Sequence, residues 1–363
     1  MRRISVQYAT PGLELSSDVY DHFGNIILRK GTRLTFDNVS TLGQMGGSEL
    51  FFEDRRVDDV PVTPLMPERL EGEAANKLRE FIDMSRNVAF FNSDLTEITL
   101  DPIEKIIYSM VGQLYPVVMG EVNSIGCFSL KDYDFVHPVQ VTGLAILMGR
   151  KLGMKEPELV KLGMASLIEN VGYVALSAGM INEPDILDTI SKHEVQQHSQ
   201  YGYQILHEHT KCDPDIKQAV LSHHEQWNGE GYPYGLKKDA IPRIARIITI
   251  ADVYYALVSR RPHRKNFLPH EAIEFVMAFS GEMFDPELVQ LFTKLVPLYP
   301  TGVMVNLNTG ERGIISNANL GYVGRPVIRI CYDKTMTEIR HPYDMNLTES
   351  QHQHRLVTDV VEY

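Results

Sequence analysis

The spacing of apolar residues between Asp101 and Leu298 most constrains the fold, because it repeats with the period of an α-helix. In the first stretch, apolar residues recur at i, i+3, i+4, i+7, i+8 and i+11, which places them on one face of a helix. These residues are Ile103, Ile106, Ile107, Met110, Val111 and Leu114. Similar stretches cover residues 139–152, 156–167, 201–208, 215–223, 244–258, 270–279 and 286–295. The pattern predicts a mainly α protein with a helical bundle over residues 101–298.

Both ends of the chain have a different pattern. Short apolar alternations with glycine and turn residues predict a small N-terminal α/β module over residues 1–66, with an accessory or regulatory role. Prolines in the stretch 58–67 favour a linker, so residues 67–100 are predicted to be linker and connecting helix. Strand-like segments predict a short C-terminal β subdomain over residues 299–345. Residues 346–363 are polar, and we expect a tail with solvated histidines.

Composition limits the classes of function. A chain of 363 residues predicts two or three domains. The net charge of −12 argues against a general nucleic-acid binder, which needs a clustered basic surface. The three cysteines are far apart and odd in number, so they predict no disulfide framework or CxxC metal site. With no apolar run near the length of a membrane span and no apolar secretory signal, we expect a cytoplasmic protein.

Histidines are concentrated in the predicted bundle. Seven of the 13 lie between His137 and His224, and the adjacent pair His223-His224 is followed by glycines at 229 and 231. Two neighbouring helical residues point about 100° apart, so both can face one cavity only at a helix end. Asp252 adds a carboxylate from a mostly apolar helix, where it needs a cation or hydrogen-bond partners. Imidazoles with carboxylates suit iron, manganese or zinc, although a lone histidine is more often an ordinary core or surface residue.

The segment HHEQWNGEGYPYGLKKDAIPRIARIITIADVYYAL, followed by RRPHR, resembles the HD-GYP family of bacterial cyclic-di-GMP phosphodiesterases. The family's segment runs HHE-x-W-D-G-x-GYP, then IP-x-x-ARI, AD-x-YDAL and RPYR. The sequences YDFVHP and QQHSQYGYQIL resemble two upstream family segments, and the likeness covers residues 105–297. The resemblance implies an HD-type helical bundle. Its implied metal ligands are His137, Glu169, His198, His223, His224 and Asp252.

One motif departs from the family. Where the family has HD-I-GK, this chain has Glu169 at the histidine position, Asn170 at the aspartate position and Tyr173 at the lysine position. Two further acids of the family are Asn228 and Tyr255 here. By resemblance, the missing aspartate bridges two metal ions, and an anionic bridge offsets their repulsion. We therefore expect one ion of iron, manganese or zinc rather than a dinuclear centre. It would be held by His198, His223 and His224, and its shell would be filled by His137, Glu169 or Asp252. The alternative is that all metal is lost and the histidines are hydrogen-bonded core residues.

Ligand binding is a separate question from hydrolysis. By resemblance, Arg261 and Arg264 contact the phosphates of the ligand, for which guanidinium groups are suited. The alternative is a solvated surface pair. Trp227 and Tyr232 are expected either to stack on a guanine base or to pack beneath the GYP segment.

Three functions follow from the resemblance and its departures. The first is a degenerate HD-GYP protein that binds cyclic-di-GMP, a related cyclic dinucleotide or a protein partner, with weak or no hydrolysis. The second is an active metal-dependent phosphodiesterase with an altered metal centre. The third is an interaction module for diguanylate cyclase (GGDEF) proteins. We also expect no nucleic-acid partner, no membrane span and a homodimer.

Overall fold

The computed structural model describes residues 1–21, 25–45, 49–60, 65–91, 97–114, 133–176, 189–259 and 267–361. Most of the helices follow the predicted apolar stretches to within a few residues. They are α1 (Phe36–Met45), α2 (Glu68–Phe91), α3 (Asp101–Gln113), α4 (Tyr133–Lys151), α5 (Glu156–Ile168), α6 (Thr189–Gln196), α7 (His198–His209), α8 (Pro214–Ser222), α9 (Arg243–Val258), α10 (Pro269–Ala278) and α11 (Pro286–Phe292). A 3-10 turn over Val171–Ala175 follows α5.

The central helices share one apolar core that runs from Leu65 to Val296. Helix α4 packs against α2, α5 and α9, and its residues Leu144, Ala145 and Ile146 are fully buried. The predicted apolar face of α3 also lies in this core. Burial of that face removes apolar surface from water, which is the main stabilising term for such a bundle. The predicted all-α core is confirmed.

Helix α2 lies in the segment 67–100 that we expected to connect the module to the bundle. Its residues Leu70, Ala74, Leu78 and Phe81 recur at helical spacing and are at most 3% exposed. They belong to the central core, where α2 packs against α3, α4 and α7. Helix α2 is therefore part of the bundle itself.

The N-terminal module has four short strands around α1, namely β1 (Arg2–Ser5), β2 (Val19–Tyr20), β3 (Ile26–Leu28) and β4 (Glu49–Phe52). Strand β1 pairs antiparallel with β4, and β2 pairs antiparallel with β3. A small core that includes Ile4, Leu15, Leu42 and Phe52 holds the module together.

The C-terminal sheet has five antiparallel strands in the order β8-β7-β6-β5-β9. They are β5 (Met304–Leu307), β6 (Arg312–Asn317), β7 (Val327–Tyr332), β8 (Glu338–Asn346) and β9 (Val357–Val361). The expectation of a tail over residues 346–363 is wrong for β9, because this strand pairs with β5 and Val361 is buried. Pairing with β9 satisfies backbone groups that β5 would otherwise expose as an edge strand.

The module and the sheet contact one another. Val57 and Val60 form an apolar cluster with Met304, Ile314, Cys331 and Val361. Beside it, the Arg329 guanidinium donates to Asp59 at 2.8 and 3.0 Å. Among the helices in the described ranges, none is long and apolar enough to cross a membrane.

Candidate functional site

The predicted ligands come from the ends of several helices and from the middle of one. His137 lies in the first turns of α4, and Glu169 follows the last residue of α5. His198 begins α7, and His223 and His224 follow α8. Asp252 projects from α9. The helical bundle thus brings together six side chains that are far apart in sequence.

His198, His223 and His224 form a three-histidine group, in which the candidate ligand nitrogens lie within 4.8 Å of one another. The Nδ1 atoms of His198 and His223 lie 2.7 Å from the carbonyl oxygens of Val195 and Val220. A carbonyl oxygen only accepts, so both Nδ1 atoms carry the proton in these contacts. Their Nε2 atoms, 3.3 Å apart, then present lone pairs to each other in the neutral rings.

Burial keeps these imidazoles neutral. Burial lowers the pKa of His198 to about 3, with a further contribution from His223. Burial likewise lowers the pKa of His223 and, more strongly, that of His224. Neutral imidazoles with backbone-bonded Nδ1–H groups are the usual form of metal-binding histidines. The facing lone pairs fit a cation between them.

His137, Glu169 and Asp252 form a second set, the carboxylate cluster, with ligand atoms again within 4.8 Å of one another. The Nε2 of His137 bonds Asp252 Oδ1 at 2.8 Å. Among the described residues, Oε2 of Glu169 and Nδ1 of His137 are buried with no hydrogen-bond partner. An unpartnered buried oxygen of this kind is costly unless a proton or a cation satisfies it.

The two carboxylates of the cluster have opposite pKa shifts. Burial raises the pKa of Glu169 well above its usual range, and the negative charge of Asp252 raises it further. Burial alone would also raise the pKa of Asp252, but the hydrogen bond and charge of His137 bring it below its usual range. The surroundings thus favour the protonated form of Glu169 and the charged form of Asp252.

The ligand set differs in arrangement from the predicted one. We expected the three histidines to hold one ion, with His137, Glu169 or Asp252 completing its shell. The six residues fall instead into two groups of three. Both groups fit a metal by the chemistry of their donors, and the unpartnered atoms of the carboxylate cluster support a cation there as well.

Asn170 lies beside the carboxylate cluster. Its amide Nδ2 donates to Oε1 of Glu169 at 3.3 Å, and the residue is partly exposed. The amide nitrogen thus faces the neighbouring carboxyl group. The side chain adds a neutral donor at this point, where an aspartate would add negative charge.

Two tyrosines stack on the three-histidine group. The ring of Tyr173 lies parallel to that of His198, with centroids 4.2 Å apart and 13° between the planes. The ring of Tyr232 stacks on His224 at 4.8 Å and 29°. Burial raises the pKa of the Tyr232 hydroxyl, and Tyr173 and Asp252 raise it further. Both tyrosines therefore belong to the site.

Residues 225–236 form the GYP loop, and Glu225 holds it in place. The Glu225 carboxylate is 1% exposed and accepts the backbone N–H groups of Tyr234 and Leu236 at 2.8 and 3.0 Å. A Cβ added at Gly231 would lie 2.3 Å from the backbone nitrogen of Gln226, so the loop closes tightly on itself. Glu225 was not predicted as a site residue, since its only signal in the sequence is its place directly after the histidine pair.

The other residues named from the sequence lie in the GYP loop, in α9 or outside the described residues. Trp227 donates its backbone N–H to Met283 and packs against the guanidinium of Arg246, 5.5 Å from the ring centroid. Asn228 bonds Glu230 within the GYP loop. Tyr255 is buried in α9. Arg261 and Arg264 lie outside the described residues, so their phosphate contacts stay a prediction.

Part of the chain matches a known domain family and several known proteins. Residues 113–288 match the HD domain family. A cyclic di-GMP phosphodiesterase of Pseudomonas aeruginosa is 33% identical over 184 residues, which is 51% of this chain and 44% of that protein. A 3'3'-cGAMP-specific phosphodiesterase of Vibrio cholerae is 26% identical over 80% of this chain and 51% of its own length. The chain thus spans about half the length of these relatives.

A solved structure adds a further likeness. An HDG"Y"P protein from Bdellovibrio bacteriovorus is 18% identical, with a TM-score of 0.48 over 80% of this chain and 97% of that one. The match to the HD domain family and the phosphodiesterase relatives agree with the motif around His223-His224. Over residues 113–288 the chain thus carries an HD domain of the HD-GYP type.

Proposed function

We propose that this protein acts in cyclic-di-GMP signalling as a degenerate HD-GYP protein, which binds a cyclic dinucleotide or a protein partner with weak or no hydrolysis. The names of the relatives, which specify cyclic-di-GMP and 3'3'-cGAMP, support this class of ligand. The loss of hydrolysis rests on Asn170. Its neutral amide faces Glu169, at the position where the family has an aspartate.

Of the two groups that fit a metal, the three-histidine group is the one that we infer to hold an ion. The three-histidine group, His198, His223 and His224, would hold iron, manganese or zinc through neutral imidazoles. Such an ion would act as a Lewis acid toward a ligand that reaches it. A second ion nearby would need a shared anionic ligand to offset the repulsion between two cations. Asn170 supplies no such charge, and the hydrogen bond to His137 already engages one oxygen of Asp252.

The carboxylate cluster favours a second candidate function. Glu169 brings a carboxylate to the position of the family's histidine, within 4.8 Å of ligand atoms on His137 and Asp252. If this cluster also holds an ion, the protein is an active phosphodiesterase with an altered metal centre.

Partner binding is supported by the GYP loop. Tyr234 is 65% exposed, while its backbone N–H is fixed by Glu225. An exposed aromatic side chain on a rigid backbone loses little entropy on binding. This observation supports a protein partner, such as a GGDEF-domain protein, for the same loop.

Turnover and binding assays separate these functions. We expect the protein to bind cyclic-di-GMP or 3'3'-cGAMP in calorimetry and to form no linear dinucleotide above the level of His223→Ala. Linear product that forms with the wild type and disappears with His223→Ala would establish the altered phosphodiesterase instead. Binding of a GGDEF-domain protein without binding of either dinucleotide would favour the interaction module.

A further inference from the structure

The nitrogens of the three-histidine group are enclosed by protein. His198 and His223 are fully buried, and His224 is partly buried. The neighbouring residues that reach solvent include Tyr173 and Tyr232, both partly exposed. On the side of the 3-10 turn and the GYP loop, a molecule that approaches a metal at this group meets these two phenol rings.

Tyr173 is held firmly against His198. Its ring centroid lies 4.2 Å from that of His198 in a nearly parallel stack, so no atom fits between the rings. The preceding residue, Gly172, packs so tightly on α7 that an added Cβ would overlap the carbonyl oxygen of His198. The 3-10 turn also fixes the backbone, since Tyr173 donates to Asn170 and accepts from Leu176, both at 3.1 Å.

Tyr232 covers the group from the side of the GYP loop. Its ring stacks on His224 and stands edge-on to His198, with centroids 6.4 Å apart and 79° between the planes. Its backbone N–H donates to the carbonyl oxygen of His224 at 3.2 Å. The hydroxyl of Tyr173 adds to the rise in the pKa of Tyr232, as expected for two phenols close together.

We propose that Tyr173 is a specificity-determining residue that, together with Tyr232, closes the three-histidine group to phosphodiesters while leaving it open to small ligands. The inference rests on the ion of the proposed function. A phosphodiester carries two ester substituents and a hydrated negative charge. Its passage between two aromatic rings would cost the free energy of desolvating that charge, with no partner to compensate. A lysine, which the family resemblance implies at this position, would attract the anion and would remove the aromatic ring beside His198.

The test uses the full chain loaded with cobalt(II), whose visible spectrum reports on its ligands. Azide and dimethyl phosphate serve as the small ligand and the phosphodiester. We expect azide, but not dimethyl phosphate, to change the spectrum of the wild type and of Tyr173→Phe. In Tyr173→Ala and Tyr173→Leu both ligands should change it, with dimethyl phosphate bound at least about tenfold more tightly than by the wild type.

A matched control removes a different aromatic stack, which lies on α7, the helix that also carries His198. Tyr203 stacks on His207 of α7, at 5.7 Å and 9°, and Tyr203→Ala should behave as the wild type does. If dimethyl phosphate changes the wild-type and Tyr173→Ala spectra equally, the inference is overturned. It is also overturned if azide changes the spectrum of neither protein.

Cobalt content is measured separately from the spectra. A wild type that takes up no more cobalt than His223→Ala would refute the metal of the proposed function, and the inference with it. Circular dichroism shows which Tyr173 variants are folded, and Tyr173→Leu keeps an apolar side chain in place if Tyr173→Ala does not fold.

Discussion

Glu169 and Asn170 differ in chemistry from the histidine and aspartate that the family resemblance implies at these two neighbouring positions. Asn170 has the shape of an aspartate without its charge, and its amide donates to Glu169 at 3.3 Å. The family resemblance implies an imidazole at position 169, where Glu169 has a fully buried carboxyl group. Asn170 removes the negative charge of an aspartate near the site, and Glu169 adds a carboxyl group that can carry one. Together the two residues change the geometry of the site more than its formal charge.

Restoring the family's pair tests whether it alone limits hydrolysis. We expect Glu169→His with Asn170→Asp to raise metal content from one to two ions per chain, because the aspartate supplies an anionic bridge. Turnover of cyclic-di-GMP should stay at the level of His223→Ala until Tyr173→Lys is added, since Tyr173 still covers His198. Metal analysis and chromatography of the products measure both effects. Full turnover by the double variant would show that Tyr173 is no barrier.

At the scale of elements, the site depends on close contacts between the ends of helices. The 3-10 turn Val171–Ala175 packs directly on the start of α7, where Gly172 meets the backbone of His198 and Gly202. Glu225 then ties the GYP loop back to the end of α8. These contacts set the positions of Tyr173 and Tyr232 relative to the histidines.

Gly172→Ala should disrupt the first contact. Its Cβ would overlap the carbonyl oxygen of His198, which is backbone and has little freedom to move. We expect a loss of about 3 kcal/mol or more in the free energy of unfolding. Gly112→Ala is the control, because Gly112 lies in α3 with no atom within 4 Å of its added Cβ. That variant should gain about 0.5–1 kcal/mol in urea unfolding; equal effects of the two would contradict this account.

Glu225→Ala should loosen the GYP loop. The change removes the acceptor of two backbone N–H groups and leaves both without that partner. We expect a loss of about 2 kcal/mol in unfolding free energy and faster proteolysis within residues 226–236. Glu225→Gln keeps one acceptor oxygen and should lie between the wild type and Glu225→Ala. Unchanged proteolysis in Glu225→Ala would show that other contacts hold the loop.

At the scale of the whole molecule, the two ends of the chain meet. The N-terminal module contacts the C-terminal sheet through the apolar cluster that includes Val57 and Ile314. Arg329 joins them as well, since it bonds Asp59 of the module and Asp344 of the sheet. The two regions that flank the bundle in sequence are thus in contact in the fold.

The acid sensitivity of this junction follows from its charges. Hydrogen bonds from Arg329 lower the pKa of both Asp59 and Asp344. A lowered folded-state pKa stabilises the protein above the ordinary pKa of aspartate, and the contribution is lost as the pH falls through the folded-state value. We expect Arg329→Met to lower the melting temperature by about 2–4 °C at pH 7 and by less at pH 3. An equal decrease at both pH values would assign the effect to packing.

Much of the fold could be predicted because helices leave a periodic signal. The face of α3 that includes Ile103 and Met110 was predicted correctly, and so was the gathering of histidines at helix ends. The division of the ligands into two groups was not predicted, because it depends on how helices distant in sequence pack. The role of Glu225 was missed for the same reason, since its partners are backbone N–H groups. Strand β9 was missed because its five residues lie in a polar segment and pair with β5 more than 40 residues earlier.

We propose that the three-histidine group holds a single metal ion and that no second ion is bridged beside it. Titration of the metal-free protein with iron(II), manganese(II) or zinc, followed by elemental analysis after removal of free metal, tests it most directly. We expect one ion per chain, which is lost in His223→Ala and retained in Glu169→Gln. Two ions per chain, or one that survives His223→Ala and is lost in Glu169→Gln, would contradict it.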